Sequence, residues 1–269
     1  MSFQSANIVV NEAKVKTKIG IETKTKSKSS SRRFSVMLAE NKDEIEQCLR
    51  LRYRVFAQEM GARLSSNDEG IDKDRFDEFC KHLMVFDTST GEVIATTRLL
   101  VSEDAKNSGF FYSETEFDLE LILSQPGNFM EVGRTCIDPD YRKGSVLAIL
   151  WQGIAEAVVK HKTDFLIGCA SISLSHGDTY INSIMHKLRK DHFSPNDRRV
   201  RPLIPLGIER TIVDENISVP TLLKGYLRQG AMICGEPHWD AEFNVADVFV
   251  LLPCEQMSQR YQRHFIERV

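Results

Sequence analysis

No apolar run in this 269-residue chain approaches the ~20 residues that a membrane-crossing helix needs, which excludes a helical membrane protein. The N-terminus also lacks the apolar stretch of a secretion signal. Six cysteines are present (48, 80, 136, 169, 234 and 254), but they form no CxxC pair and no Cys/His cluster. Most lie in apolar segments and read as buried thiols of a reducing compartment. The expectation is a cytoplasmic protein without a structural metal or a nucleic-acid partner. No internal repeat or linker divides the chain, and an apolar content of 42% with 27% charge is ordinary for a globular domain.

Charge is unevenly spread. Residues 1–33 hold six Lys and two Arg against Glu12 and Glu22, a net of +6, so the formal total of −3 leaves −9 on the remainder. Lys14, Lys16, Lys18, Lys24, Lys26 and Lys28 alternate with small or polar residues. Such a segment buries too little apolar surface to offset its ordering entropy. Residues 1–33 are read as a disordered basic tail, solvated or drawn to anionic lipid at about 1 kcal/mol per basic residue. In the second case the protein sits peripherally at the inner face of the membrane. Residues 34–269 then form one domain.

Within that domain, apolar positions 45, 48, 49, 53, 56 and 60 recur at helical spacing and predict a helix from Asn41 to Met60, closed by Gly61. Residues 62–80 read as a long polar, acidic loop of the functional or mobile kind. His82–Asp87 and Val93–Val101 are β-rich and joined by Thr88–Gly91, a hairpin signal. Phe129–Ile137, the apolar helical pattern Ser145–Lys160 and Asp164–Ser171 make a β-α-β crossover. Helices at Gly177–Arg189 and Thr221–Gln229 and a strand at Val245–Leu252 complete an α/β domain with a mixed sheet.

The strand at 129–137 carries Glu131 and Arg134 with Gly133 between them. Burying such charges unpaired costs several kcal/mol. A strand glycine often marks a bulge where a ligand approaches the backbone. The strand runs into a basic turn, Arg142-Lys143-Gly144-Ser145, and then a helix N-terminus whose amides suit a phosphate. Strand, bulge, turn and helix together suit an activated acyl group. Arg52 lies one helical turn before Phe56 on the core-facing stripe, Asp74 and Asp77 flank Arg75 and Phe76, and Arg98 sits in a strand.

In order and approximate spacing, Arg52 with Phe56, Asp74 with Asp77, Arg98-Leu99-Leu100 and Glu131-Val132-Gly133-Arg134 resemble acyl-homoserine-lactone synthases. Those enzymes resemble the GNAT superfamily in fold. The C-terminal part looks closer to the L-ornithine Nα-acyltransferases that make lyso-ornithine lipid, through Lys224–Ala231, Asp240, Phe243-Asn244, Asp247-Val248 and Tyr261. Leu150–Gly153 and Gly168–Ser171 also resemble that branch, and the likeness spans roughly residues 34–268. It implies a GNAT-like acyltransferase fold, a mixed central β-sheet flanked by helices. Ala62 stands after Gly61 where lactone synthases usually carry Trp, which weighs against S-adenosylmethionine as acceptor. The contracted turn at Arg142–Ser145 suits the phosphopantetheine of acyl carrier protein better than the whole nucleotide of CoA.

The resemblance implies transfer of a (3-hydroxy)acyl group from acyl carrier protein to the α-amine of ornithine, the first step of ornithine lipid synthesis, with no bound cofactor. Glu131 is the candidate base, with an internal ion pair to Arg98 or Arg134 as the competing role. Arg52, Arg98 and Arg134, with Phe56 beside them, would hold the acceptor carboxylate, and Asp74 and Asp77 its side-chain ammonium. Gly133, Arg142, Lys143, Gly144 and Ser145 would hold the donor. His176 and Tyr180 are weaker candidates for the acid that protonates the leaving thiol. Ser173, Ser175 and Cys169 lie in no recognisable nucleophile turn. Signal synthesis of the lactone type, acylation of another amino acid, and a non-catalytic acyl-binding role on the same fold are the alternatives.

Overall fold

The computed structural model describes residues 33–64, 69–142, 145–207 and 212–256. The tail at 1–33 lies outside them except for Arg33, as do Lys143, Gly144 and Tyr261. In chain order the elements are β1 (Phe34–Leu38), α1 (Lys42–Tyr53), β2 (Lys81–Asp87), β3 (Val93–Val101), α2 (Ser102–Ser108), β4 (Phe117–Asp118), α3 (Glu120–Leu123) and β5 (Phe129–Ile137). Then come α4 (Ser145–Lys160), β6 (Phe165–Ser173), α5 (Asp178–Asp191), β7 (Arg201–Pro202), α6 (Thr221–Arg228), β8 (Met232–Ile233), β9 (His238–Asp240) and β10 (Val245–Pro253).

Eight strands form one sheet in the order β1-β2-β3-β5-β6-β10-β8, with β9 also on β10, while β4 and β7 make a separate pair. Every ladder of the large sheet is antiparallel except β5 with β6, the crossover spanned by α4. The α/β fold with a mixed central sheet flanked by helices, read from the residues, is therefore the fold observed. All nine residues of β3 and of β10 are buried, so both faces of the sheet are covered. Leu99, Met130, Val132, Ala170 and Val248 share a core with α4, α5 and α6. Their strand neighbours Leu100, Ile167, Phe249 and Leu251 pack on the opposite face with Phe76, Phe111 and Phe117. Alternation of two apolar sets on each strand is what a sheet sandwiched between layers requires.

Asn41 caps α1 by accepting a hydrogen bond from the Glu44 amide at 3.0 Å. The helix predicted to Met60 leaves α-geometry at Tyr53 and continues to Glu59 as a π-helical turn, with the Met60 amide reaching the Val55 carbonyl at 3.1 Å. Such wide turns recur at functional sites. Residues 69–80 form turns anchored against the body, because Asp72 and Asp77 are buried. This differs from the mobile acidic loop expected there. The reason is electrostatic and appears below. All six cysteines are free, and burial raises the pKa of each thiol. Among the described residues no helix is long and apolar enough to cross a membrane.

Two irregularities shape the centre of the sheet. Between the pairs Arg98↔Gly133 and Thr96↔Cys136, β3 has one residue and β5 has two, so β5 carries a bulge at Arg134–Thr135. The left-handed backbone is at Arg134, with φ 50°, and not at Gly133. Thr97 Oγ1 holds the bulge by donating to the Gly133 carbonyl at 3.0 Å, with Thr135 Oγ1 2.7 Å away. The extra residue reverses the strand's parity. Val132 faces the α4 side, yet Cys136 packs with α1 on the other. Arg134 is thereby placed on the same face as Arg98 and Arg52.

The second irregularity is a parting of strands. Pairing of β5 with β6 stops at Glu131↔Ile167. Beyond it Gly133, Arg134 and Thr135 on one side and Cys169 on the other are half-buried, and Ser171 is exposed. A cleft opens there. Just before it the strands still touch closely, since a Cβ on Gly168 would lie 2.4 Å from the Val132 carbonyl oxygen.

Candidate active site

Under α1, on the cleft face, three arginines meet three aspartates. Arg52, 1% exposed, donates from Nε to Asp72 Oδ2 at 2.7 Å and from Nη1 and Nη2 to Asp77 at 2.6 and 3.2 Å. Arg98 Nη1 reaches Asp74 Oδ1 at 2.6 Å and Asp77 Oδ1 at 3.1 Å. Arg134 Nη2 lies 3.4 Å from Asp74 Oδ2. Its Nε is 3.4 Å from Asp72 Oδ2, an ion-pair distance, yet makes no hydrogen bond. Burial alone would raise the aspartate pKa values, but Arg52 and Arg98 outweigh it and hold Asp77 well below the ordinary range. Asp74 is lowered in the same way by Arg98. This pairing draws the acidic segment inward.

Aromatic rings fill the spaces between the guanidinium groups. Arg98 lies 5.7 Å from the Phe76 ring centroid and 5.4 Å from that of Tyr112. Arg134 lies 4.9 Å from Tyr112 and 4.5 Å from Phe243. Phe56 meets Phe243 edge to face at 5.7 Å, so its part is to brace the ring under Arg134. Gly133 leaves room for Arg98, whose Nε would sit 3.6 Å from a Cβ there.

Glu131 faces the same side but contacts no arginine. Its Oε2 accepts from the Tyr112 amide at 2.8 Å, and its Oε1 from the Ser113 amide at 2.7 Å and from Ser113 Oγ. Burial raises its pKa while these donors oppose the rise. The carboxylate closes the N-terminal end of the 3₁₀ turn Tyr112–Thr115 and so fixes Tyr112 against Arg98 and Arg134.

At the donor end, Arg142 makes a two-pronged pair with Glu59 at 2.6 Å for each contact and donates from Nε to the Ile137 carbonyl. Ser145 is the first residue of α4. His176 is exposed and packs against Tyr180 at 4.7 Å. Behind the cleft, on the α4 side, is an apolar cavity of about 10 Å³ lined by Val132, Gly168, Ala170, Tyr226 and Val250. Trp151 is a core residue, edge to face with Tyr226 at 5.1 Å.

The structure thus brings Arg52, Asp74, Asp77, Arg98 and Arg134 into one network, with Phe56 behind it and Glu131 beside it. It also adds residues that the sequence reading passed over. Asp72 was one acid among many in a polar stretch, and only the match of three acids to three arginines marks it out. Tyr112 and Glu116 lie in a short turn without periodicity.

A sequence profile described as Acetyltransferase (GNAT) domain matches residues 51–152, which contain the whole network. A CoA-dependent acyl-homoserine lactone synthase, BjaI, solved with SAM and isopentyl-CoA, shares the fold, with TM-score 0.51 and 13% identity over 88% of each chain. Sequence relatives are much nearer. The L-ornithine N(alpha)-acyltransferase of Brucella abortus (strain 2308) is 35% identical over 86% of this chain and 88% of its own. That of Agrobacterium fabrum (strain C58) is 36% identical over 85% and 83%. That of Rhodobacter capsulatus is 30% identical over 88% and 96%. With identity of this level sustained across the domain that bears the cleft, the chain is an acyltransferase and belongs to the L-ornithine N(alpha)-acyltransferase family.

Proposed function

We propose that the protein moves a (3-hydroxy)acyl group from acyl carrier protein to the α-amine of ornithine, the first step of ornithine lipid synthesis. The observation that carries the acceptor is the shared name of relatives that match 85–88% of the chain. In the reaction the unprotonated α-amine attacks the thioester carbon, the new C–N bond forms, the C–S bond breaks and the amine proton leaves with a base, the thiolate taking up a proton. Backbone N–H groups at the Arg134–Thr135 bulge, where the regular ladder is interrupted, would meet the developing oxyanion, a kind of contact worth roughly 3–4 kcal/mol. Arg134 reads the acceptor carboxylate, supported by its half-buried position at the cleft. Glu131, with both oxygens already bonded, contributes by setting Tyr112 and Arg134 rather than by taking the proton.

Arg142 and the N-terminus of α4, with Ser145, would hold the donor phosphate, with Lys143 and Gly144 between them. The stretch 187–201 offers part of its charge to an acidic carrier. Lys187 and Arg189 of that stretch are occupied, by the Glu215 and Ile217 carbonyls and by Glu236, and Arg199 stacks over the Phe193 ring at 4.3 Å, which leaves Lys190, Arg198 and Arg201. Against S-adenosylmethionine as acceptor stands Ala62, buried with Phe56 and Phe243, in place of the Trp that lactone synthases usually carry.

The test is incubation of the purified full chain with 3-hydroxyacyl carrier protein and a panel of amino acids, products being identified by mass spectrometry. N-acyl-ornithine made fastest, and more slowly as salt rises, is the expected result. Acylation of another amino acid in preference would refute the acceptor. Equal, salt-insensitive use of acyl-CoA would refute the donor.

A further inference from the structure

On the far side of Tyr112 from the arginine network lies a second group of charges, built only of acids. Glu116 follows the 3₁₀ turn, Asp240 ends β9, and Asp247 stands in β10 opposite Ser171. One carboxylate oxygen of each lies within 4.8 Å of the other two. Glu116 and Asp247 are 4% and 3% exposed, and Asp240 is half-buried. None of the three pairs with a Lys or Arg among the described residues. Asp247 accepts from Ser171 Oγ at 2.6 Å, and Asp240 Oδ1 from the Glu242 and Phe243 amides at 2.8 and 3.1 Å. Glu116 Oε2 is buried without a hydrogen-bond partner, while the carboxylate also interacts with the Cys169 thiol and the Tyr112 hydroxyl.

We propose that Glu116, Asp240 and Asp247 form the anionic pole of the acceptor site and receive the side-chain ammonium of the cationic amino acid. The three carboxylates come from separate parts of the chain and crowd together without a cation, which is the reverse of the Asp72, Asp74 and Asp77 arrangement. An ammonium has three donors to give them, including one for the orphaned Glu116 oxygen. Burial first, and then the neighbouring carboxylate, pushes Glu116 up to about 8, and burial pushes Asp247 up to about 7. The pocket therefore holds protons near neutral pH that a cation would replace.

Access and polarity agree with this role. Ser171 is exposed and Asp240 half-buried, so the group is reachable from solvent beside β6. Tyr112 stands between the two poles, interacting with both Arg134 and Glu116, and Arg134 is near enough for its charge to act on Asp247. At one pole the Arg134 guanidinium stands half-buried at the cleft, and at the other a buried Glu116 carboxylate oxygen is without a hydrogen bond. Asp74 and Asp77 have spent their oxygens on arginines and backbone amides.

The inference rests on the ornithine reading, and the experiment separates the two. Kinetics with ornithine are compared with kinetics using L-norvaline, the same carbon chain without the terminal amine. In the wild type, failure to acylate ornithine would sink the underlying reading. Given that activity, Asp247→Asn and Glu116→Gln should raise the ornithine KM by roughly 10- to 100-fold and leave the norvaline KM within about twofold. Asp240→Asn, at the half-buried mouth, gives the same readout if either buried variant does not fold. Equal losses toward both acceptors, or a selective ornithine defect in Asp74→Asn instead, would overturn the assignment. So would saturable binding of Mn²⁺ or Ca²⁺ alone to the full chain, abolished by Asp247→Asn and required for transfer, since the cation would then be a metal.

Discussion

Asp77 accepts hydrogen bonds from two arginines and a peptide amide, whereas Glu131 accepts only from two amides and a hydroxyl. The two buried acids will therefore respond differently to neutralisation. Asp77→Asn leaves Arg52 and Arg98 short of counter-charge in a dry environment and should cost about 3–5 kcal/mol of stability. Glu131→Gln keeps one acceptor oxygen and turns an NH₂ group toward backbone amides that cannot accept. It should cost about 1–3 kcal/mol and lower kcat in step as Tyr112 loosens. Thermal melts and turnover of both variants check this. A Glu131→Gln protein as stable as wild type yet wholly inactive would restore Glu131 as the base.

At the level of elements, the bulge in β5 and the parting of β5 from β6 build the cleft, and two glycines guard them. A methyl on Gly133 meets Arg98 at an ordinary 3.6 Å, so Gly133→Ala should fold and work, while the branched side chain of Gly133→Val should displace the guanidinium and reduce transfer sharply. Gly168→Ala is the severe change, because its Cβ would lie 2.4 Å from the Val132 carbonyl. About 1–3 kcal/mol should be lost there, read as a fall in Tm. The long elements were legible in the residues: the hairpin β2–β3, the β5-α4-β6 crossover and β10 all follow from periodicity and turn chemistry. So was the charged set, because arginines on core stripes are costly unless matched. Less legible were the short pieces. Two-residue strands such as β4 and β7 have no alternation to read, and the turn carrying Tyr112 and Glu116 is recognisable only once Glu131 is seen to hold it. The change from α to π at Tyr53 was hidden, because the apolar spacing of 53, 56 and 60 fits either winding. Gly133 pointed to the right neighbourhood for the bulge, but the left-handed residue is Arg134, held there by its ring and ion contacts.

For the whole molecule, the two acid groups make stability depend on pH in opposite senses. Asp77 is depressed in the fold, so its stabilisation is present above the ordinary carboxylate range near 3.8 and is lost as pH falls below it. Glu116 and Asp247 are raised to about 8 and about 7, so the fold binds their protons more tightly than the unfolded chain does. That contribution is fully present below the ordinary carboxylate range and is lost as pH climbs from there through the raised values. Tm measured from pH 3 to pH 9 should fall at both ends, and saturating ornithine should flatten only the alkaline side. Asp77→Asn should remove much of the acid limb. An alkaline limb unchanged in Glu116→Gln and Asp247→Asn would show that other groups produce it.

The arginine network also has a consequence for reach. Three guanidinium groups face three carboxylates, so the cluster as a whole carries no net charge. Its field is that of close-set opposite charges, strong against a group in contact and nearly gone one molecular diameter away. It can orient a bound zwitterion but cannot summon one from solution.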